Sequence, residues 1–167
     1  NGTVRYADVS DCRIQGNQDL NNYVGGVSGY GSAYDCTSTK NVIIGNKWTG
    51  GAVGYSGWND LSYTTVSRCV VQGGDYTGGI TGTGRILKNQ LVSQTVVEGK
   101  QNVGGMLGAI IGDVSRDSNS RVEDCQVTGV SVVGGMAGTS DGSNMTSFYS
   151  LGVTGKKIRA SCHAETQ

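Results

Sequence analysis

Three pairs of carboxylates stand close together along the chain: Asp8 with Asp11, Asp113 with Asp117, and Glu123 with Asp124. Two carboxyl groups flanking a glycosidic bond can divide the roles of acid and base or nucleophile, the chemistry of sugar hydrolysis. Most of these residues fall in loops or at strand starts, where solvated acids are ordinary. Gly138-Thr139-Ser140-Asp141-Gly142 spells the G-x-S-x-G of a nucleophile elbow. That device needs a strand, a strained turn, a helix and a histidine delivered from elsewhere. No helical pattern follows this stretch, and the single histidine, His163, lies near the end of the chain. No catalytic residue and no cofactor is predicted.

Aromatic residues make a sharper pattern. Tyr23, Trp48 and Tyr76 each stand two residues before a Gly-Gly pair, and Tyr30 and Tyr55 each follow the third glycine of the same motif. Aligned in space, such residues become stripes. Exposed stripes can bind sugar rings or partner proteins, and neighbouring aromatics in parallel sheets also stabilise one another as ladders. These five are the candidate binding residues. Asn102 and Val132 take the place of the first stripe in the later copies.

The elements that must position these residues are announced by glycine. The chain of 167 residues has 29 glycines and no proline, where about 7% glycine is usual. The absence of proline and of a glycine at every third position excludes collagen, and regularly recurring Val, Ile, Leu and Met argue against disorder. A repeat accounts for both facts. Its first mark is a branched apolar residue two before a glycine: Ile14, Ile43, Val71, Val97, Val127 and Val153. Its second is Gly-Gly-x-x-Gly, starting at Gly25, Gly50, Gly78, Gly104 and Gly134. From the first mark's glycine to the pair is five residues in four copies and nine in the first, so this arc is fixed and the return arc carries the variable loops.

Each repeat is too short for a helix pair, and Gly, Val, Thr and Ser are poor helix formers. The stretches 11–15, 68–72, 94–98 and 124–128 alternate, with Cys12 and Ile14, Cys69 and Val71, Thr95 and Val97, and Cys125 and Val127 on the core side. Stacked coils place equivalent positions about 4.8 Å apart and join these faces into one core. The predicted fold is therefore all-β: a right-handed parallel β-solenoid of about five to six coils with a repeat of about 25–30 residues, handedness following the general rule for parallel crossovers. Residues 1–167 form one domain, read as a fragment of something longer, with 156–167 as a polar cap or tail. The Gly-Gly pair is expected at a sharp corner that uses positive φ.

The repeat also constrains the cysteines. Cys12, Cys69 and Cys125 occupy one position in coils one, three and five, about 9.6 Å apart, beyond the roughly 7 Å reach of a disulfide. They are expected to be reduced core residues, and non-ligating Asn41 and Thr95 between them leave no zinc site. Cys36 and Cys162 lie outside this register. Calcium-binding glycine repeats need an aspartate in each turn, and these motifs supply none.

The segment Asn102-Val103-Gly104-Gly105-Met106-Leu107-Gly108, preceded by Val97-Glu98-Gly99, resembles the GLUG repeat, and 132–138 is a second good copy. The copies at Gly25, Gly50 and Gly78 are looser, with Thr49 and Thr77 where the pattern prefers valine. GLUG repeats occur in large bacterial surface proteins, among them adhesin-like proteins and the non-catalytic parts of IgA-cleaving metallopeptidases. The resemblance implies an extracellular or cell-surface location and a multidomain parent, and it implies no catalytic residue; the peptidase motif His-Glu-x-x-His is absent.

Charge adds little. Lys+Arg and Asp+Glu are equal in number, and the nearest basic cluster is Lys156, Lys157 and Arg159, too small to track a phosphate backbone. No nucleic-acid partner and no membrane span is expected. The functional expectation is a non-catalytic spacer or adhesion module, its partners a host protein or glycan and the other domains of the same polypeptide. The alternative is a carbohydrate-active β-helix enzyme or carbohydrate-binding module using the loops with Trp58, Asp60 and Asp113 to Asp117.

Overall fold

A computed structural model describes residues 2–85, 87–111, 119–140 and 148–151. Every regular element among them is a short β-strand. The chain visits five walls in turn, A to E, and then climbs one level, so each strand pairs in parallel with its equivalent in the next coil. Sheet A holds Thr3–Arg5, Ser32–Tyr34, Leu61–Ser62 and Leu87–Lys88. Sheet B holds Asp8–Ser10, Thr37–Thr39, Thr65–Ser67, Leu91–Ser93, Ser120–Glu123 and Phe148–Leu151. Sheet C holds Arg13–Gln15, Val42–Ile44, Val70–Gln72, Val96–Glu98 and Gln126–Thr128. Sheet D holds Tyr23–Gly25, Trp48–Gly50, Tyr76–Gly78, Gln101–Gly104 and Ser131–Gly134. Sheet E holds Ser28–Tyr30, Val53–Tyr55, Thr81–Gly84, Leu107–Ile110 and Ala137–Ser140. The fold is an all-β, right-handed parallel solenoid of about five turns.

The expected columns are present. Ile14 pairs with Ile43, Ile43 with Val71, Val71 with Val97, and Val97 with Val127; Val153 lies outside the described residues. Four of these five are fully buried, and Ile14, in the first described coil, is half-buried. Each fully buried branched side chain contributes about 1.5–3 kcal/mol. The strands are shorter than the alternation suggested. Cys12, Asn41, Cys69, Thr95 and Cys125 precede the strands of sheet C and form a column in the B–C corner.

The glycine pairs do not form an outer corner, and they do not use positive φ. Each tips an arch, made of the D and E strands, that folds inward until it touches sheet B. A Cβ on Gly51 would fall 2.7 Å from Val66 Cγ1, one on Gly79 2.7 Å from Val92 Cγ1, and one on Gly105 2.9 Å from Val122 Cγ1. The third glycine of the motif lets the two limbs touch through their backbones: a Cβ on Gly82 would lie 2.7 Å from the Tyr76 carbonyl oxygen and 2.8 Å from the Thr49 nitrogen. Glycine is thus selected for close approach.

The outer corners are turned by other residues. Tyr6, Asp35, Tyr63, Asn89 and Asn119 between sheets A and B, and Asp11, Lys40, Arg68, Gln94 and Asp124 between B and C, all have φ between 49° and 56°. A left-handed non-glycine residue costs about 1–2 kcal/mol. The cost is offset because the corner amides continue the ladder: Lys40 N–H donates to the Ser67 carbonyl, Arg68 to Ser93 and Gln94 to Glu123, each at 3.0 Å.

The arch divides the interior in the later coils, whereas in the earlier ones Val24 of sheet D and Ile43 and Val71 of sheet C share one cluster with the E-side residues. On its E side, Val53, Leu107 and Ile110 pack with Ala33 and Leu61 of sheet A and Val66 and Val92 of sheet B. On its D side, Val103 and Val133 pack with Val97 and Val127 of sheet C.

Candidate functional site

The inward arch decides where the aromatic residues go. Its limbs begin with Tyr23, Trp48 or Tyr76 and end, in the first two coils, with Tyr30 or Tyr55, so the side chains gather at its outer mouth. The two expected stripes are a single five-ring cluster. Tyr23 and Trp48 have centroids 4.8 Å apart, Trp48 and Tyr76 stack at 6.0 Å with planes 9° apart, and Tyr30 and Tyr55 stack at 5.7 Å and 12°. Cross-links join the limbs: Tyr23 to Tyr30 at 5.5 Å, Tyr23 to Tyr55 at 5.3 Å and Trp48 to Tyr55 at 5.8 Å. Such pairs add about 0.5–1.5 kcal/mol each beyond area burial.

The cluster is both ladder and surface. Tyr23 and Tyr30 are 42% and 46% exposed, while Trp48, Tyr55 and Tyr76 are half-buried. Lys47 Nζ lies 4.5 Å from the Trp48 ring centroid, a cation–π contact. Burial, reinforced by Tyr23 and Tyr30, pushes the Tyr55 hydroxyl above the ordinary tyrosine range. In the coils after Tyr76 the aromatics stop, and Asn102 and Val132 take positive φ, 48° and 51°. There a groove of about 400 Å³ opens, walled by Trp48, Tyr55 and Tyr76 and floored by Thr83, Ala109 and Thr139.

A second groove, of about 420 Å³, lies over sheet A and shares no lining residue with the first. Trp58, Asp60, Tyr34, Arg5 and Arg85 are among its walls. The loop with Trp58 and Asp60 was legible as a candidate; Arg5, Tyr34 and Arg85 were not, because they come from other coils and carry no shared motif.

The two described carboxylate pairs, Asp8 with Asp11 and Glu123 with Asp124, each divide between a sheet B strand and the corner that follows it. Asp8 accepts a hydrogen bond from the Thr37 hydroxyl at 2.5 Å on the exposed face of sheet B. Glu123 pairs with Arg121 at 2.7 Å, and its neighbour Asp124 is a corner residue. Asp113 and Asp117 lie outside the described residues, as do Asp141 and Gly142, the tail 156–167, Cys162 and His163, while Gly138, Thr139 and Ser140 belong to the last strand of sheet E. Among the described residues no group of three or more His, Cys, Asp or Glu side chains could hold a metal ion.

The cysteines divide by position in the stack. Cys69 and Cys125 are buried thiols, as expected, whereas Cys12, in the first described coil, is free but exposed. Cys36, which had no place in the repeat, is buried in the A–B corner column with Thr64, Gln90 and Ser120. No helix is long and apolar enough to cross a membrane among the described residues. No protein-family model, curated protein or solved structure matches the chain.

Proposed function

We propose that this chain is a non-catalytic module of a bacterial cell-surface or secreted protein of the GLUG-repeat kind, acting as a spacer and as a binding platform for a host protein or glycan. The observation that carries the reading is the arch-mouth cluster. Tyr23, Trp48, Tyr76, Tyr30 and Tyr55 present flat rings at one surface, rigidly backed by two sheets in backbone contact. Aromatic anchors of this kind lose little conformational entropy on binding, which favours recognition over a mobile loop. A parallel ladder that continues from coil to coil suits a spacer, because each level contacts only its neighbours and length adds without a new core design.

A carbohydrate-active enzyme of the usual type needs two carboxyl groups about 5–10 Å apart across a substrate. The described carboxylate pairs lie on open faces, and Asp60 is the one acid among the residues lining the sheet A groove, which favours binding over turnover.

A glycan and host-matrix-protein array probed with the whole chain tests the reading. The expected result is binding without turnover, lost in Trp48→Ala and weakened in Tyr30→Ser, with both variants retaining the parent's β circular dichroism. Retention of binding by both variants, or product release from a bound glycan, would sink it.

A further inference from the structure

The sheet A groove carries its own chemistry. Trp58 is 66% exposed and is held by a tight turn in which the Ser56 carbonyl accepts from Asn59 N at 3.0 Å and from Asn59 Nδ2 at 2.8 Å. Gly57 supplies the positive φ, 57°, that this turn requires. The Ser32 hydroxyl donates to the Asp60 carbonyl and ties the loop to sheet A. The indole is therefore set in place before any ligand arrives.

Two cations line the same groove. The Arg85 guanidinium is 5.4 Å from the Trp58 ring centroid, and Arg5 is 5.2 Å from that of Tyr34. Arg85 Nη2 approaches Asp60 Oδ1 only to 3.8 Å, well beyond the 2.7–2.9 Å of a charge-assisted hydrogen bond. Its buried Nε has no hydrogen-bond partner. Among the described residues Arg5 forms no ion pair. Two arginines against one carboxylate make this groove locally positive on a chain whose formal net charge is zero.

We propose that this groove binds a carboxylate-bearing saccharide, with Trp58 stacking on the apolar face of the sugar ring and Arg85 and Arg5 receiving its carboxylate. The volume, about 420 Å³, falls in the range of small-ligand sites, roughly 300–1,000 Å³. Arginine suits a planar carboxylate because its fork matches both oxygens. Asn59, Ser62 and Thr3 line the same groove and offer polar atoms to ring hydroxyls. Single-stranded nucleic acid fits less well, because it needs successive stacking platforms along a basic track, and Trp58 is the one exposed aromatic side chain among the residues lining this groove. The inference goes beyond the arch-mouth reading and depends on none of its residues.

Isothermal titration of the whole chain with trigalacturonate tests it, alongside the fully methyl-esterified trisaccharide, a sulfated trisaccharide without carboxylates and a short oligothymidylate. Trigalacturonate is expected to bind at least tenfold more tightly than the other three. Arg5→Gln and Arg85→Gln should each weaken it at least tenfold, Trp58→Ala should abolish it, and Arg13→Gln, which removes one charge from sheet C, should leave it unchanged. Each variant is compared at an unchanged urea midpoint, which the exposure of Trp58 and Arg5 makes attainable. Equal binding of acid and ester would overturn the charge assignment, and no binding of either would overturn the saccharide site. Tighter binding of the sulfated sugar or the oligonucleotide, or an undiminished affinity in Trp58→Ala, would overturn the proposal as well.

Discussion

Gly51 rests against Val66: the tip of the second arch meets the inner face of sheet B so closely that a methyl group on the glycine would fall 2.7 Å from Val66 Cγ1 and would collide with the Gly79 carbonyl of the next coil. A backbone oxygen in a parallel ladder cannot withdraw without breaking its own hydrogen bonds. Gly51→Ala is therefore expected to destabilise the fold by about 1–3 kcal/mol or more, with Gly79→Ala alike. Gly2→Ala, where nothing lies within 4 Å, is expected to stay within about 0.5 kcal/mol of the parent. Urea denaturation checks all three, and a Gly51→Ala midpoint equal to the parent's would refute the packed arch.

Thr49 and Thr77 occupy the inward column of sheet D that Val24, Val103 and Val133 fill elsewhere. Both are fully buried, and both hydroxyls lack a hydrogen-bond partner. A buried unsatisfied polar atom costs about 1–3 kcal/mol. Thr49→Val and Thr77→Val should each raise stability by about 1 kcal/mol, read as a higher urea midpoint at constant m-value. Because the two residues pair directly, the double variant should depart from additivity.

Asn41 is a buried polar residue whose groups are used. Its Oδ1 accepts from Cys12 N at 2.8 Å, and its Nδ2 donates to the Val9 carbonyl at 2.8 Å and to Ser38 Oγ at 2.9 Å. Asn41→Ala strands these partners and leaves a void, so a loss of about 2–4 kcal/mol is expected. The same measurement decides it: a loss under about 0.5 kcal/mol would mean that water replaces the amide.

Alkylation should separate the thiols. Cys12 is exposed and Cys36, Cys69 and Cys125 are buried, so iodoacetamide at pH 8 should modify Cys12 first among these four in the native protein. Burial, the largest cause, pushes the Cys125 thiol up, with Asp124 and Glu123 adding to the shift and its backbone contacts opposing it. A raised thiol holds less thiolate at a given pH, so Cys125 should react only as pH climbs above the usual cysteine range. Peptide mapping by mass spectrometry reads the order, and equal labelling of Cys12 and Cys125 would contradict the burial described.

Much of this was legible in the amino-acid order. The recurrence of Ile14, Ile43, Val71, Val97 and Val127 named the residues that lie above one another, because one residue per coil is all that a stack of parallel strands requires. The same recurrence separated Cys12, Cys69 and Cys125 into alternate levels and picked out the aromatic positions. The outline of each coil was not legible. Glycine serves both a left-handed corner and a close backbone approach, and the two uses are spelled alike, so Gly50-Gly51 reads as an outer bend although it tips an internal arch.

What the chain determined by itself was thus the vertical order: period, columns and the inward branched residue of the sheet C strands. Tertiary structure alone decided the horizontal one. Corners fell to Lys40, Arg68 and their equivalents because ladder hydrogen bonds offset their strain, and the inward arch merged two aromatic stripes into one cluster. Arg5, Tyr34, Trp58 and Arg85 met because three separate coils expose the same wall. Those outcomes depend on how closely backbones approach within a layer, and a one-dimensional repeat carries no record of that distance.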